Sequence, residues 1–241
     1  LFYALRGLLY LTRWSVCAAT VDLGPTEEQT ALRTECRDWL RAHLPWEYGS
    51  GLPPRFDDLA EEVAFGRRWQ AQLAAGRWVG VTWPAELGGR GAGALAHYIV
   101  QEELARARAP EVVGRIGINL VGPTLMAHGT PSQQQRWLPG ILDASILFCQ
   151  LFSEPGAGSD LANIATTARR TDGGWVLDGQ KVWTSYAQFA DWGLCLARTD
   201  PSAARKQAGI SAFVVDMRAP GVDIRPLQQI TGESDFNEVF F

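Results

Sequence analysis

The residues best suited to chemistry lie in two runs, Ser153-Glu154-Pro155-Gly156-Ala157-Gly158-Ser159-Asp160 and, some twenty positions later, Lys181-Val182-Trp183-Thr184-Ser185. The first offers two hydroxyls and, around its glycines, backbone N–H groups that no bulky side chain screens. The second sets an indole plane beside two more hydroxyls at the end of a strand-like segment. A flat ring with a hydrogen-bonding edge, such as an isoalloxazine, needs both kinds of wall. Alone, a Pro-Gly-Ala-Gly stretch is an ordinary surface turn, and one tryptophan among ten is an ordinary core residue. It is their occurrence in one block of strands that points to a ligand site.

Two sets of elements must position these runs. Thr26 and Gln29 form a capping box ahead of Leu32, Cys36, Trp39, Leu40 and Leu44 at helical spacing, and Pro45 ends that helix. After a loop with Pro53-Pro54, a second helix from about Asp57 puts Leu59, Val63, Gly66, Trp69 and Leu73 on one face, with Gly76 as its C′ stop. A turn-rich segment around Gly80-Val81-Thr82-Trp83-Pro84 and Gly88-Gly89-Arg90-Gly91 leads to helices over about 94 to 107, 112 to 128 and 131 to 142. The last opens with a Thr130/Gln133 capping box and Pro131 at its first position. Near Ile146 the pattern changes to short β-branched or aromatic runs: 146 to 152, 166 to 170, 175 to 177, 181 to 184, 193 to 198 and 210 to 216. Asp172-Gly173-Gly174 and Asp178-Gly179 read as hairpin turns. Helices followed by a block of strands predict an α+β fold with segregated layers and a boundary near residue 145. The domains are thus 21 to 145, all-α, and 146 to 241, β and ligand-binding.

Composition limits the alternatives. A chain of 241 residues that is 46% hydrophobic can bury a substantial core. A net charge of −4 and a pI near 5.4 argue against a polyanion partner. Lys181 and Lys206 are the only lysines among 22 Lys and Arg residues, a bias that fits a GC-rich genome. Cys17, Cys36, Cys149 and Cys195 show no metal-ligand spacing and read as reduced thiols of a cytoplasmic protein, and His43, His97 and His128 are scattered, so neither metal site nor triad is expected. In the apolar stretch 1 to 20, Arg6, Gly7 and Arg13 leave no run long enough to span a membrane. The reading given to it is untranslated sequence or a cloning remnant, with Val21 as the natural start from a GTG codon.

The ordered motifs resemble the N-terminal and middle domains of the acyl-CoA dehydrogenase family, in the wording of its actinobacterial-like members. The resemblance runs in register over residues 26 to 241. It includes Gly80-Val81-Thr82-Trp83-Pro84-Ala85-Glu86-Leu87-Gly88-Gly89, Gly122-Pro123-Thr124, His128-Gly129-Thr130, Gln133 to Ile141, Ser153 to Asp160 and Asp178 to Ser185. It implies an antiparallel, barrel-like middle domain, FAD as cofactor, and α,β-dehydrogenation of an acyl-CoA thioester. Carried over by position, it assigns FAD contacts to Gln150, Leu151, Phe152, Ser153, Gly158, Ser159, Trp183, Thr184 and Ser185, and a substrate contact to Ser159. Gln150 stands where many members carry an aromatic or small apolar residue, and serine replaces the commoner threonine at 153 and 185, with the hydroxyl kept.

The family's catalytic glutamate belongs to a C-terminal four-helix domain, which on this reading lies beyond Phe241. Glu154 is read as a structural residue of the turn. A chain ending at Phe241 is therefore expected to bind FAD weakly and to lack turnover. Further implied partners are an electron-transfer flavoprotein, with Trp183 as conduit, and subunits of a homo- or hetero-oligomer. Two other readings stay open on the sequence: a flavin monooxygenase or nitroalkane-oxidase-like homologue, and a non-catalytic subunit of a heteromeric dehydrogenase.

Overall fold

The computed structural model describes residues 24–45, 48 and 55–241; the leader at 1 to 20, the Val21 start, Cys17 and Pro53-Pro54 lie outside them. Helix α1 (Glu27–His43) opens at the expected box: the Thr26 hydroxyl accepts from the Gln29 N–H at 3.2 Å, and the Gln29 side chain accepts from the Thr26 N–H at 3.1 Å. Two orphan donors of the helix start are satisfied in this way. Helix α2 (Leu59–Ala75) is capped by Asp58 and buries Val63, Gly66, Trp69 and Leu73 on one face. Its end differs from the expectation, because Gly76 stays right-handed and the left-handed residue is Arg77, φ 58°. Glycine is needed at 76 for space: a Cβ there would lie 2.6 Å from Trp78 Cδ1 and 2.8 Å from Trp39.

Helix α3 (Ala94–Arg106) crosses α1, and the segment expected as one helix over 112 to 128 divides into a π turn, Gly117–Val121, and α4 (Gly122–His128). Pro123 offers no N–H to the preceding turn and its ring crowds the carbonyl four residues back, so the backbone widens there. Helix α5 (Pro131–Asp143) starts at the predicted Thr130/Gln133 box. The helices close over Trp69, Leu73, Trp83, Val100, Val121 and Ile141, and this core continues onto Phe148 and Leu194 of the strands.

The strands are β1 (Phe148–Leu151), β2 (Thr167–Thr171), β3 (Gly174–Asp178), β4 (Gln180–Ser185), β5 (Trp192–Arg198), β6 (Ile210–Asp216), β7 (Asp223–Leu227) and β8 (Phe236–Phe240). The α+β class holds, but the middle domain is not a closed antiparallel barrel. It forms two sheets, one of β1, β5, β2, β3 and β6 and one of β4, β8 and β7, and β5 pairs in parallel with β1 and β2. The β2–β3 hairpin turns at Asp172-Gly173-Gly174 as expected. Asp178-Gly179 does not make a second hairpin: β4 pairs with β8, so Gly179, φ 155°, carries the chain from one sheet to the other. A second core of Cys149, Leu151, Cys195, Met217 and Val239 fills the space between the sheets.

Arg67 joins the helices to the strands. Its guanidinium donates to the Ala144 carbonyl at 2.7 Å, the Phe189 carbonyl at 3.2 Å and Asp191 Oδ2 at 3.0 Å. Asp191 in turn accepts from the Leu147 N–H at 2.9 Å. Arg67→Met, which keeps the stem and removes the donors, is expected to destabilise the chain by about 1–2 kcal/mol in urea unfolding, since its acceptors are partly buried and Asp191 keeps Arg218 and the Leu147 N–H as partners.

Candidate cofactor site

Strand alternation decides which β1 residues face the site. Phe148 belongs to the helix-side core, and Cys149 and Leu151 to the core between the sheets. Gln150 and Phe152 therefore share the Phe148 face, and the chain then turns at Ser153. Beyond it, Glu154 and Ala157 exchange both backbone hydrogen bonds, at 2.9 and 3.1 Å, making a closed turn with Pro155, Gly156 and Gly158 at the surface. Gly156 and Gly158 have no protein atom within 4 Å of where a Cβ would stand, so this side of the turn is open.

The second wall depends on a bulge in β4. Lys181 opposes Val239 and Thr184 opposes Asn237, so Val182 and Trp183 together face the one residue between them, Glu238. An inserted residue of this kind re-aims side chains. The Val182 N–H leaves the ladder and donates to the Ser153 carbonyl at 2.9 Å. Trp183 takes a left-handed conformation, φ 60°, and stands 64% exposed, edge-on to Phe236 with ring centroids 6.2 Å apart. A non-glycine residue in this region is strained and is found where the surroundings over-determine it.

Between the walls lies a cavity of about 140 Å³ lined by Ile116, Gln150, Phe152, Ser153, Val182, Trp183 and Ser185. Five of the nine residues expected to touch a cofactor meet here. Leu151 and Thr184 are buried in the fold, and Gly158 and Ser159 sit on the exposed turn outside the cavity. Ile116 and Val182 line it although nothing in their sequence context marks them; Ile116 arrives through the π turn that follows it. Among the described residues, the polar atoms of Gln150, Ser153 and Ser185 take no part in any side-chain hydrogen bond, which leaves an amide and two hydroxyls available to a ligand edge. A recess of about 550 Å³, with Leu59, Val63, Val113 and Tyr186 in its walls, shares Ile116 and Ser185 with this cavity. A larger one, of about 750 Å³, shares none of the cavity's residues.

Of the two carboxylates in the motif, Asp160 is exposed and Glu154 faces inward. Its Oε1 accepts from Lys181 Nζ at 2.7 Å and the Thr166 N–H at 3.0 Å, and its other oxygen accepts from the Ala165 N–H. Burial pushes this carboxyl up, but the Lys181 ammonium and the Thr166 and Ala165 hydrogen bonds outweigh it and hold it below the usual carboxylate range. Glu154 is thus saturated and does not point at the cavity. Burial pushes the Cys36, Cys149 and Cys195 thiols up to about 12, so they are inert packing residues. Among the described residues no group of three His, Cys, Asp or Glu side chains is arranged to hold a metal, and no helix is long and apolar enough to cross a membrane.

Comparison with known proteins gives the family of both domains. Residues 26–145 match the model of the acyl-CoA dehydrogenase N-terminal domain, and residues 149–241 match that of its middle domain. Acyl-CoA dehydrogenase IpdE1 of Mycobacterium tuberculosis is 48% identical over 213 residues, covering 87% of this chain and 54% of that protein. Acyl-CoA dehydrogenase FadE34 of the same organism is 50% identical over 195 residues, covering 79% of this chain and 27% of that protein. Among solved structures, the ChsE4–ChsE5 complex from Mycobacterium tuberculosis superimposes with a TM-score of 0.75 at 35% identity, over 91% of this chain and 54% of that one. The chain therefore spans about half the length of relatives such as IpdE1. With the models of both domains matched in order over residues 26–145 and 149–241, the chain belongs to the acyl-CoA dehydrogenase family, of which it carries the N-terminal and middle domains.

Proposed function

We propose that this chain forms the FAD-binding half of an acyl-CoA dehydrogenase. The observation that carries the proposal is the convergence of a strained, exposed indole with three unpaired polar side chains around one cavity. The residues fit the group: an aromatic plane for one face of the ring, Ser153, Ser185 and Gln150 for its edge, and the open Gly156 and Gly158 turn beside it. FAD bound there supplies a two-electron acceptor for α,β-desaturation of an acyl-CoA thioester. Phe152 and Ile116 exclude water from the ring edge. The 550 Å³ recess adjoining Ser185 and Ile116 takes the acyl group, and Ser159 on the outer turn meets the CoA portion.

Glu154 cannot be the base that removes the α proton, because Lys181 and two backbone N–H groups already occupy it. The base is proposed to lie in sequence that this chain does not include, as is the surface for other subunits. ChsE4–ChsE5 is a complex of two named chains, and a hetero-oligomer is proposed here by analogy with it. An electron-transfer flavoprotein as acceptor and a cytoplasmic location complete the proposal.

The test is direct. The purified 241-residue chain, titrated with FAD, is expected to take up one flavin per chain, seen as a shifted visible spectrum. Ser185→Ala is expected to weaken this uptake about tenfold, the worth of one good hydrogen bond at about 1.4 kcal/mol. A chain that takes up no flavin would overturn the proposal. Once flavin is bound to the whole protein, anaerobic bleaching by an acyl-CoA separates the dehydrogenase from an oxygenase.

A further inference from the structure

We infer that Lys181 is a positioning residue of the cofactor site: its buried ammonium sets the separation of the two walls and holds Trp183 in its outward, left-handed conformation. The inference rests on the flavin reading for what the walls enclose, and on the protein alone for how they are held.

The Lys181 side chain is fully buried. An ammonium has three donors, and here each finds an acceptor: Glu154 Oε1 at 2.7 Å, the Leu196 carbonyl at 2.7 Å and the Phe152 carbonyl at 3.2 Å. The three acceptors belong to two pieces of chain, since Phe152 and Glu154 flank Ser153 on one of them and Leu196 lies on the other. Glu154 lies in the closed turn, Leu196 in the middle of β5, and Phe152 in the first wall of the cavity. Lys181 itself stands at the start of the β4 bulge, two residues before Trp183. One side chain thus ties the small sheet to the large one at the point where the cavity opens. The backbone adds the Val182 N–H to Ser153 carbonyl bond across the same junction.

Residue choice supports the same conclusion. Only Lys181 and Lys206 among 22 Lys and Arg residues are lysine, and one of them occupies this buried position. A compact ammonium reaches acceptors in three directions, whereas a planar guanidinium fork serves acceptors lying in its own plane. The ammonium is saturated and shielded, so it touches no ligand; its influence passes through Phe152, Ser153 and Trp183. A left-handed tryptophan persists only where both flanks are fixed. Lys181 fixes one flank. Thr184, whose carbonyl accepts from Asn237 Nδ2 at 3.0 Å, fixes the other.

The experiment compares the full chain with its Lys181→Met/Glu154→Gln double variant, in which neither member is left as a lone buried charge. Both are labelled with 5-fluorotryptophan, and the Trp183 fluorine resonance is assigned by its loss in Trp183→Phe. The expected result is a double variant that unfolds cooperatively, a displaced Trp183 resonance with the buried tryptophans unmoved, and an FAD dissociation constant raised tenfold or more. An unmoved Trp183 resonance overturns the inference, and so does a moved resonance with unchanged FAD affinity. A double variant that does not fold overturns it too, since the pair would then serve the fold and not the site. If the unmodified chain takes up no flavin, it is the flavin reading that fails, and the fluorine resonance alone decides the role of Lys181.

Discussion

Lys181→Met is expected to remove about 3–5 kcal/mol of stability at pH 7, because it leaves Glu154 as a buried carboxylate without its counter-ion. For a chain of this size that is about 2–4 °C of melting temperature per kcal/mol. The pH dependence identifies the cause. In the native chain the Glu154 carboxyl is held below its ordinary range. It therefore contributes stability that is present above its unfolded value of about 4.3 and is lost as the pH falls through the depressed folded value. With Lys181 gone, burial is the largest influence left on the carboxyl, opposed only by the Thr166 and Ala165 hydrogen bonds, and the folded value is expected to rise above the unfolded one. The contribution then reverses: it is present at low pH and lost as the pH rises through the raised value. The penalty of the substitution should accordingly shrink between pH 7 and pH 5, measured as the difference in urea midpoint between variant and native chain. A penalty of the same size at both pH values would show that the loss comes from packing alone, since packing carries no proton linkage.

Much of this site was legible in the sequence, and what was not has identifiable reasons. Both capping boxes, at Thr26 and Thr130, formed as predicted because they depend on residues three apart, and local chemistry settles them. The buried face of α2 followed for the same reason. The partition of Gln150, Phe152 and Ser153 from Leu151 needed the strand's phase, which is set by what packs on each face, helices on one and the small sheet on the other. The Asp178-Gly179 turn carried the hairpin pattern yet crosses between sheets, because a turn type does not say which strand will be the partner. Strands β7 and β8 gave little signal: β7 contains Pro226 and exposed polar residues, as an edge strand can. The Lys181–Glu154 pair spans 27 positions and carries no periodic signature. Its one trace was a lysine in an arginine-rich chain.

Trp183→Gly is expected to leave stability nearly unchanged while it weakens binding, and this separates the cost of the site from its use. The left-handed backbone at Trp183, φ 60°, costs an L-residue about 1–2 kcal/mol that glycine does not incur. Against this, the variant loses the edge contact with Phe236, worth about 0.5–1.5 kcal/mol, and gains the strand entropy of glycine, about 0.5–1 kcal/mol. Little burial is lost, because the indole is 64% exposed. The net change in unfolding free energy should thus lie within about 1.5 kcal/mol of zero. Flavin affinity should nevertheless fall at least tenfold, about 1.4 kcal/mol or more, since the aromatic plane of one wall is gone. Trp183→Ala keeps the strain and loses the plane, so it should bind flavin as weakly as the glycine variant while being less stable than it by about 1 kcal/mol. If both variants bound flavin like the native chain, Trp183 would not face the ring. If the glycine variant were several kcal/mol less stable, the indole would belong to the core and not to the site. The combination of retained stability and lost affinity is what a residue held in strain for the sake of a ligand must show.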